Sequence, residues 1–161
     1  MSQSEMSMKI IGRAELVSFP ELGIEAVHAR IDTGAQTSAI WVSRAEVVNG
    51  RLEVVLFGSS HPSYTGEVLY FDEFNHGMVA SSNGHAEPRY KVRMLIGIAG
   101  KTIRARLTLA DRSTQVYPVL VGRNVLRGRF IVDVKLGNVM KEAELERSRK
   151  LQEILKKGPT E

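Results

Sequence analysis

Cysteine does not occur in these 161 residues, which excludes a disulfide framework, thiolate catalysis and cysteine-ligated zinc. No apolar run is long enough to span a bilayer, and the opening MSQSEMSMKI lacks the basic-then-apolar order of a secretory signal. Both absences point to a soluble, cytoplasmic protein with no membrane partner. Aromatic residues are few, at 6%, and Trp41 is the single tryptophan. Neither sign of charge dominates: 22 Lys and Arg stand against 18 Asp and Glu, and the net charge of +4 fits an ordinary solvated surface, with no nucleic acid as partner. The chain has no Walker loop, no HExxH helix, no repeat at a solenoid period and no low-complexity segment. No cofactor is expected.

What is present is a hydrophobic content of 43%, enough for one compact domain that buries about two thirds of its unfolded surface. The dominant period is two. Apolar residues alternate through Leu52, Val54 and Leu56, through Tyr90, Val92, Met94, Ile96 and Ile98, and through Ile103, Ala105, Leu107 and Leu109, the pattern of half-buried strands. Ala99-Gly100 separates the last two, so Tyr90–Leu109 reads as a long β-hairpin with Arg104 and Arg106 on its polar face. FPELG at Phe19–Gly23 is turn chemistry between an opening strand near Ile10–Val17 and a second at Ile24–Ile31. Gly58–Pro88, rich in Gly, Ser, His, Asn and Pro, reads as loop or insertion. Only Met140–Lys157 reads as helix, with acidic residues early, basic ones late, and Glu146–Lys150 and Glu153–Lys157 at i,i+4. The fold class is all-β with one C-terminal α-helix.

Asp32 ends the second strand, within HARIDTGAQTSAIW, and ninety positions later comes YPVLVGRNVLRGRFIVDV. A lone Asp-Thr-Gly is weak, since its glycine can simply turn a corner. An apolar strand running into Asp-Thr-Gly-Ala, followed later by an apolar run into Gly-Arg-Asn, resembles the retropepsin-like aspartic peptidases. A closer resemblance, through Ile11–Ile24, Ala29–Ile40, Ser81–Tyr90 and Leu107–Val134, is to the bacterial family labelled ATP-dependent zinc proteases. Its members look like single retropepsin domains and are associated with ATP-grasp ligases that glutamylate ribosomal protein. The resemblance implies a closed retropepsin-like β-barrel over residues 1–139, a helical tail over 140–161, and an aspartic endopeptidase whose peptide or protein substrate could be Glu-rich.

Amide hydrolysis by carboxylates needs two of them sharing one proton. This chain offers one Asp-Thr-Gly; Asp111-Arg112-Ser113 lacks the glycine and puts a bulky cation where the loop needs a small residue. A homodimer with Asp32 from each subunit across the two-fold axis is therefore implied. By the same resemblance Thr33 hydrogen-bonds across the axis, Gly34 and Ala35 keep the loop small beside substrate, and Gly122, Arg123 and Asn124 brace it, Arg123 as a hydrogen-bonding fork. Gln36 and Thr37 stand where retroviral enzymes carry acidic residues.

A flap is expected at Ser81–Glu87, with Asn83-Gly84 as a two-residue hairpin tip. His85 and Glu87, two apart, would touch substrate or ligate a metal, with His61, His76 or Asp72 needed to complete a site. His28 is expected to face outward from its strand, and Trp41 to pack in the core or an interface. Two alternatives stay open: a zinc-dependent metallohydrolase using His85 and Glu87, and a catalytically silent protease-fold dimer that binds a partner.

Overall fold

Gly12 and Arg13 break the first extended run. The computed structural model describes residues 7–80 and 84–157, and the strand expected at Ile10–Val17 is two: β1 (Lys9–Ile11) and β2 (Ala14–Phe19), in different sheets. Packing is the reason. A Cβ on Gly12 would fall on the backbone of Leu136 and Gly137, and the Arg13 N–H donates to the Leu136 carbonyl at 2.9 Å instead of joining a ladder. After a 3-10 turn at Pro20–Leu22, closed by Gly23 in the left-handed region (φ 68°), β3 occupies the expected Ile24–Ile31. There follow β4 (Ser38–Val48), β5 (Arg51–Leu56), β6 (Leu69–Phe71), β7 (Asn75–Ala80), β8 (Ala86–Ile98), β9 (Lys101–Ala110) and β10 (Val119–Val121). A single helical turn α1 (Arg123–Leu126), β11 (Phe130–Val132) and helix α2 (Lys141–Lys157) come after them.

The β8–β9 hairpin is paired from Tyr90 with Leu109 to Ile98 with Lys101. Ala99 (φ 49°) and Gly100 (φ 80°) supply the two positive φ angles of a type I′ turn. Val92, Met94, Ile96 and Ile98 face Ile103, Ala105, Leu107 and Leu109 in the core, while Arg93, Arg104 and Arg106 are exposed. Each large aliphatic side chain so buried contributes about 1.5–3 kcal/mol. Closure is the work of β10, which pairs in parallel with β3 and antiparallel with β4. The ring β10-β3-β2-β8-β9-β4 is thereby a six-stranded closed barrel, with β5 and β6 extending from β4 and β7 from β8. The expected all-β barrel with a C-terminal helix is the observed architecture.

The expectation of a loop through Gly58–Pro88 is corrected, since β6, β7 and the start of β8 lie within it. β7 and β8 pair from Asn75 with Lys91 to Ala80 with Ala86, yet Asn75–Met78 and Gly84–Pro88 are exposed throughout. With no buried face there is no alternation for a sequence reading to find.

Helix α2 buries none of its side chains, and Leu145, Leu151, Ile154 and Leu155 are exposed. It is tied to the barrel by Glu144, which accepts both Arg13 guanidinium nitrogens at 2.7 and 2.9 Å and the Tyr117 hydroxyl at 3.2 Å. The Met140 N–H donates to the Tyr117 hydroxyl at 3.0 Å, and Arg147 donates to the Thr114 carbonyl. Among the described residues no helix is long and apolar enough to cross a membrane.

Candidate active site

The β3 ladder runs one residue past its end, because the Asp32 N–H donates to the Val121 carbonyl at 2.9 Å. The strand pairing thus fixes the Asp32 backbone. The side chain is held next: Gly34 N–H donates to Asp32 Oδ1 at 2.9 Å and Ala35 N–H to the Asp32 carbonyl at 3.2 Å, an Asx turn of the kind aspartate favours. Oδ2 accepts no hydrogen bond among the described residues. Asp32 is half-buried, and Thr33 and Gly34 are exposed beside it.

A second segment locks onto this loop. Arg123 N–H donates to the Ala35 carbonyl at 2.8 Å and Asn124 N–H to the Gln36 carbonyl at 3.2 Å. Approach is so close that a Cβ on Gly122 would collide with the carbonyls of Thr37 and Ala35. Ser38, fully buried, accepts the Gly122 N–H at 3.0 Å and donates to Asn124 Oδ1 at 2.7 Å, while Asn124 Nδ2 donates to the Arg106 carbonyl at 2.9 Å. Asp32, Thr33, Gly34 and Ala35 are therefore brought against Gly122, Arg123 and Asn124. The brace at Arg123 is its main-chain N–H. Its guanidinium is exposed and makes no hydrogen bond among the described residues, unlike the side-chain fork that the resemblance implies. Ser38 was not singled out by its sequence; the signal was a hydroxyl in phase with buried Ile40 and Val42 on one face of a strand.

Two hollows flank the loop. One, of about 760 Å³, is mainly apolar and runs past Thr33 and Thr37 to Met8, Leu126, Phe130 and Val132. The other, of about 440 Å³, is lined by Ile31 and by Arg13, Arg30, Arg112, Tyr117 and Glu144. Arg112 is anchored by its Nε–H on the Tyr117 carbonyl at 3.0 Å. Burial and the neighbouring Arg30 charge hold its guanidinium below the ordinary value, and the Asp32 carboxylate opposes them. Glu144 is held below the usual carboxylate range chiefly by its hydrogen bonds from Arg13.

The flap is expected at the end of the β7–β8 hairpin, where Ser81, Ser82 and Asn83 lie outside the described residues. The pairing of Ala80 with Ala86 leaves five residues between the strands. Gly84 does take positive φ, at 84°. Glu87 lies opposite Val79 on this hairpin, and His85 just precedes its second strand.

His61 is elsewhere: its Nδ1 accepts the Ser63 N–H at 3.0 Å and its ring stacks on Phe57, with centroids 4.4 Å apart. Among the described residues no three His, Asp or Glu side chains converge on a point that could hold a metal, so His85 and Glu87 gain no third ligand there. Trp41 packs edge-on to Phe57 and against the core. His28, expected to face outward, is half-buried, opposite Leu16 on β2; burial first, and His28 nearby second, hold the His61 imidazole below its ordinary value.

Comparison with known proteins agrees with this geometry. Over 151 residues the chain is 32% identical to a protein of Desulfotalea psychrophila named probable alpha-L-glutamate ligase, covering 89% of this chain and 32% of that one. A protein of the same name from Shewanella pealeana is 31% identical over 131 residues, covering 77% of this chain and 28% of the relative. The chain thus spans about a third of the length of these curated relatives. A Legionella pneumophila protein of unknown function, known from its crystal structure, shares the fold with a TM-score of 0.62 at 23% identity, over 81% of this chain and 97% of its own. Residues 10–143 match the family model described as RimB-like, retropepsin-like aspartic endopeptidase RimB. That match takes in both the Asp32 loop and the Gly-Arg-Asn segment locked onto it, and the chain belongs to the RimB-like family of retropepsin-like proteins.

Proposed function

We propose that the chain is an aspartic endopeptidase that works as a homodimer, hydrolysing peptide bonds with water activated between two Asp32 carboxylates, one per subunit. The observation that carries this reading is the Asp32 loop itself. Its backbone is fixed by β10, Oδ1 is oriented by Gly34 N–H, and Oδ2 is left available on a half-buried surface. One carboxylate takes a proton from water as it attacks the carbonyl carbon; the other, protonated, donates to the carbonyl oxygen. The collapsing intermediate returns a proton to the leaving amine. A singly protonated pair is required, so the rate falls on both sides of an optimum.

The apolar hollow beside Thr33, with Met8, Phe130 and Val132 along it, is suited to receive a second copy and bring the two loops together. The β7–β8 hairpin, exposed on both faces, is suited to close over a bound peptide. Glutamate-rich peptide in the cytoplasm is the substrate we favour, because relatives three times as long carry the name of a glutamate ligase. The test is Asp32→Asn. Asparagine keeps the shape but cannot serve as base, so cleavage of a glutamate-rich peptide should vanish at every pH while sedimentation still reports a dimer. Wild-type rates in that variant would end the aspartic mechanism.

A further inference from the structure

We infer that Arg13, Arg30 and Arg112 form a carboxylate-binding subsite beside the Asp32 loop, and that Glu144 of α2 is its resident, displaceable occupant. The inference rests on Asp32 being the reacting group, but its test does not depend on turnover.

Three elements converge to build the subsite. Arg30 and Asp32 are two residues apart along the β3 line, so their side chains leave the same side of the strand. Arg13 is brought alongside by its carbonyl, which accepts the Ile31 N–H at 2.9 Å. Arg112 comes from the segment after β9, and its Nε is spent on the Tyr117 carbonyl. Both of its terminal nitrogens are left without a protein acceptor among the described residues, and Arg30 likewise has no ion pair among them. With Arg147 also on the wall, four guanidinium groups surround one hollow that contains a single carboxylate, Glu144. The excess of cation makes it a place for a further anion, and the planar fork of arginine favours carboxylate.

The structure shows what chemistry the hollow accepts, because Glu144 already sits in it, bidentate to Arg13 and bonded to the Tyr117 hydroxyl. Nothing in α2 is buried to hold that carboxylate in place. The helix rests on the rim through Glu144, Arg147 and the Met140 N–H, all on or near exposed surface. An acidic side chain of a peptide lying across Asp32 can therefore compete with Glu144, and α2 acts as an internal brake on peptides that use this subsite.

The test measures binding to Asp32→Asn protein, which separates the subsite from catalysis. The probe is a fluorescent hexaglutamate peptide amidated at its C-terminus, with hexaglutamine, amidated or free, as comparison. Glu144→Gln should tighten hexaglutamate binding by about threefold or more, the scale of one partly exposed ion pair. Arg112→Gln, and separately the more exposed Arg30→Gln, should each weaken it by about tenfold, as expected for a lost charge-assisted contact. Arg93→Gln, an equal charge change on the outer face of β8, should leave it unchanged. Binding of hexaglutamine only with a free C-terminus would assign the subsite to a terminal carboxylate. Affinity unchanged or weakened in Glu144→Gln, or a loss in Arg93→Gln equal to that in Arg112→Gln, would overturn the inference whatever the enzyme cleaves.

Discussion

At the scale of single residues, the aspartate was readable and its support was half readable. Asp32 stands out because an acid and a glycine follow an apolar extended run, a local pattern. Gly122 stands out for the same reason, although only the fold shows why no side chain fits there: the carbonyls of Ala35 and Thr37 occupy the space. Ser38 escaped, because a serine that bridges two segments 84 positions apart looks like any other serine in its own neighbourhood. Replacing it tests the bridge. Ser38→Ala leaves the Gly122 N–H buried without its acceptor, a cost of about 1–3 kcal/mol. Urea unfolding should show a lowered midpoint with unchanged slope, and an unchanged midpoint would mean that water or a shifted carbonyl takes over the N–H.

At the scale of elements, legibility followed burial. The β8–β9 hairpin was found residue for residue because one face is core and the other solvent, whereas β7 went unseen with no buried face to impose a period. Helix α2 was found by its charge pattern, but its seating was not, since an ion pair to Arg13 across 131 positions leaves no local trace. That seating has a sign in pH. Glu144 is held below the usual carboxylate range, first by its hydrogen bonds from Arg13, next opposed by burial, and with lesser lowering from the Arg13 charge, the Tyr117 hydroxyl and the Arg30 charge. Its contribution is complete above the unfolded value and is lost as pH falls through the lower, folded one. Amide exchange in α2, corrected for intrinsic rates, should therefore accelerate as pH drops below about 4. An Arg13→Gln protein should show faster exchange already at neutral pH and little further step; a step of the same size in both proteins would detach the helix from this ion pair.

At the scale of the whole molecule, one chain carries one Asp-Thr-Gly loop and the proposed chemistry needs two. Specific activity should then fall on dilution in step with dissociation of the dimer, measured by sedimentation on the same samples. Full turnover by a demonstrated monomer would remove the shared pair. The sequence could not tell how each Asp32 is held within its own chain, because the ring is closed by three residues. Val119–Val121 bridge β3 and β4, and Ile31 pairs with Val121 across 89 intervening positions. Loop closure of that length is entropically costly and belongs late in folding. The hydrogen bond that extends this pairing is the one that fixes Asp32, so the strand that shuts the barrel is also the strand that sets the aspartate. A chain with β10 undocked would own most of its core and still hold an unplaced carboxylate, so the setting of Asp32 depends on the closed ring as a whole.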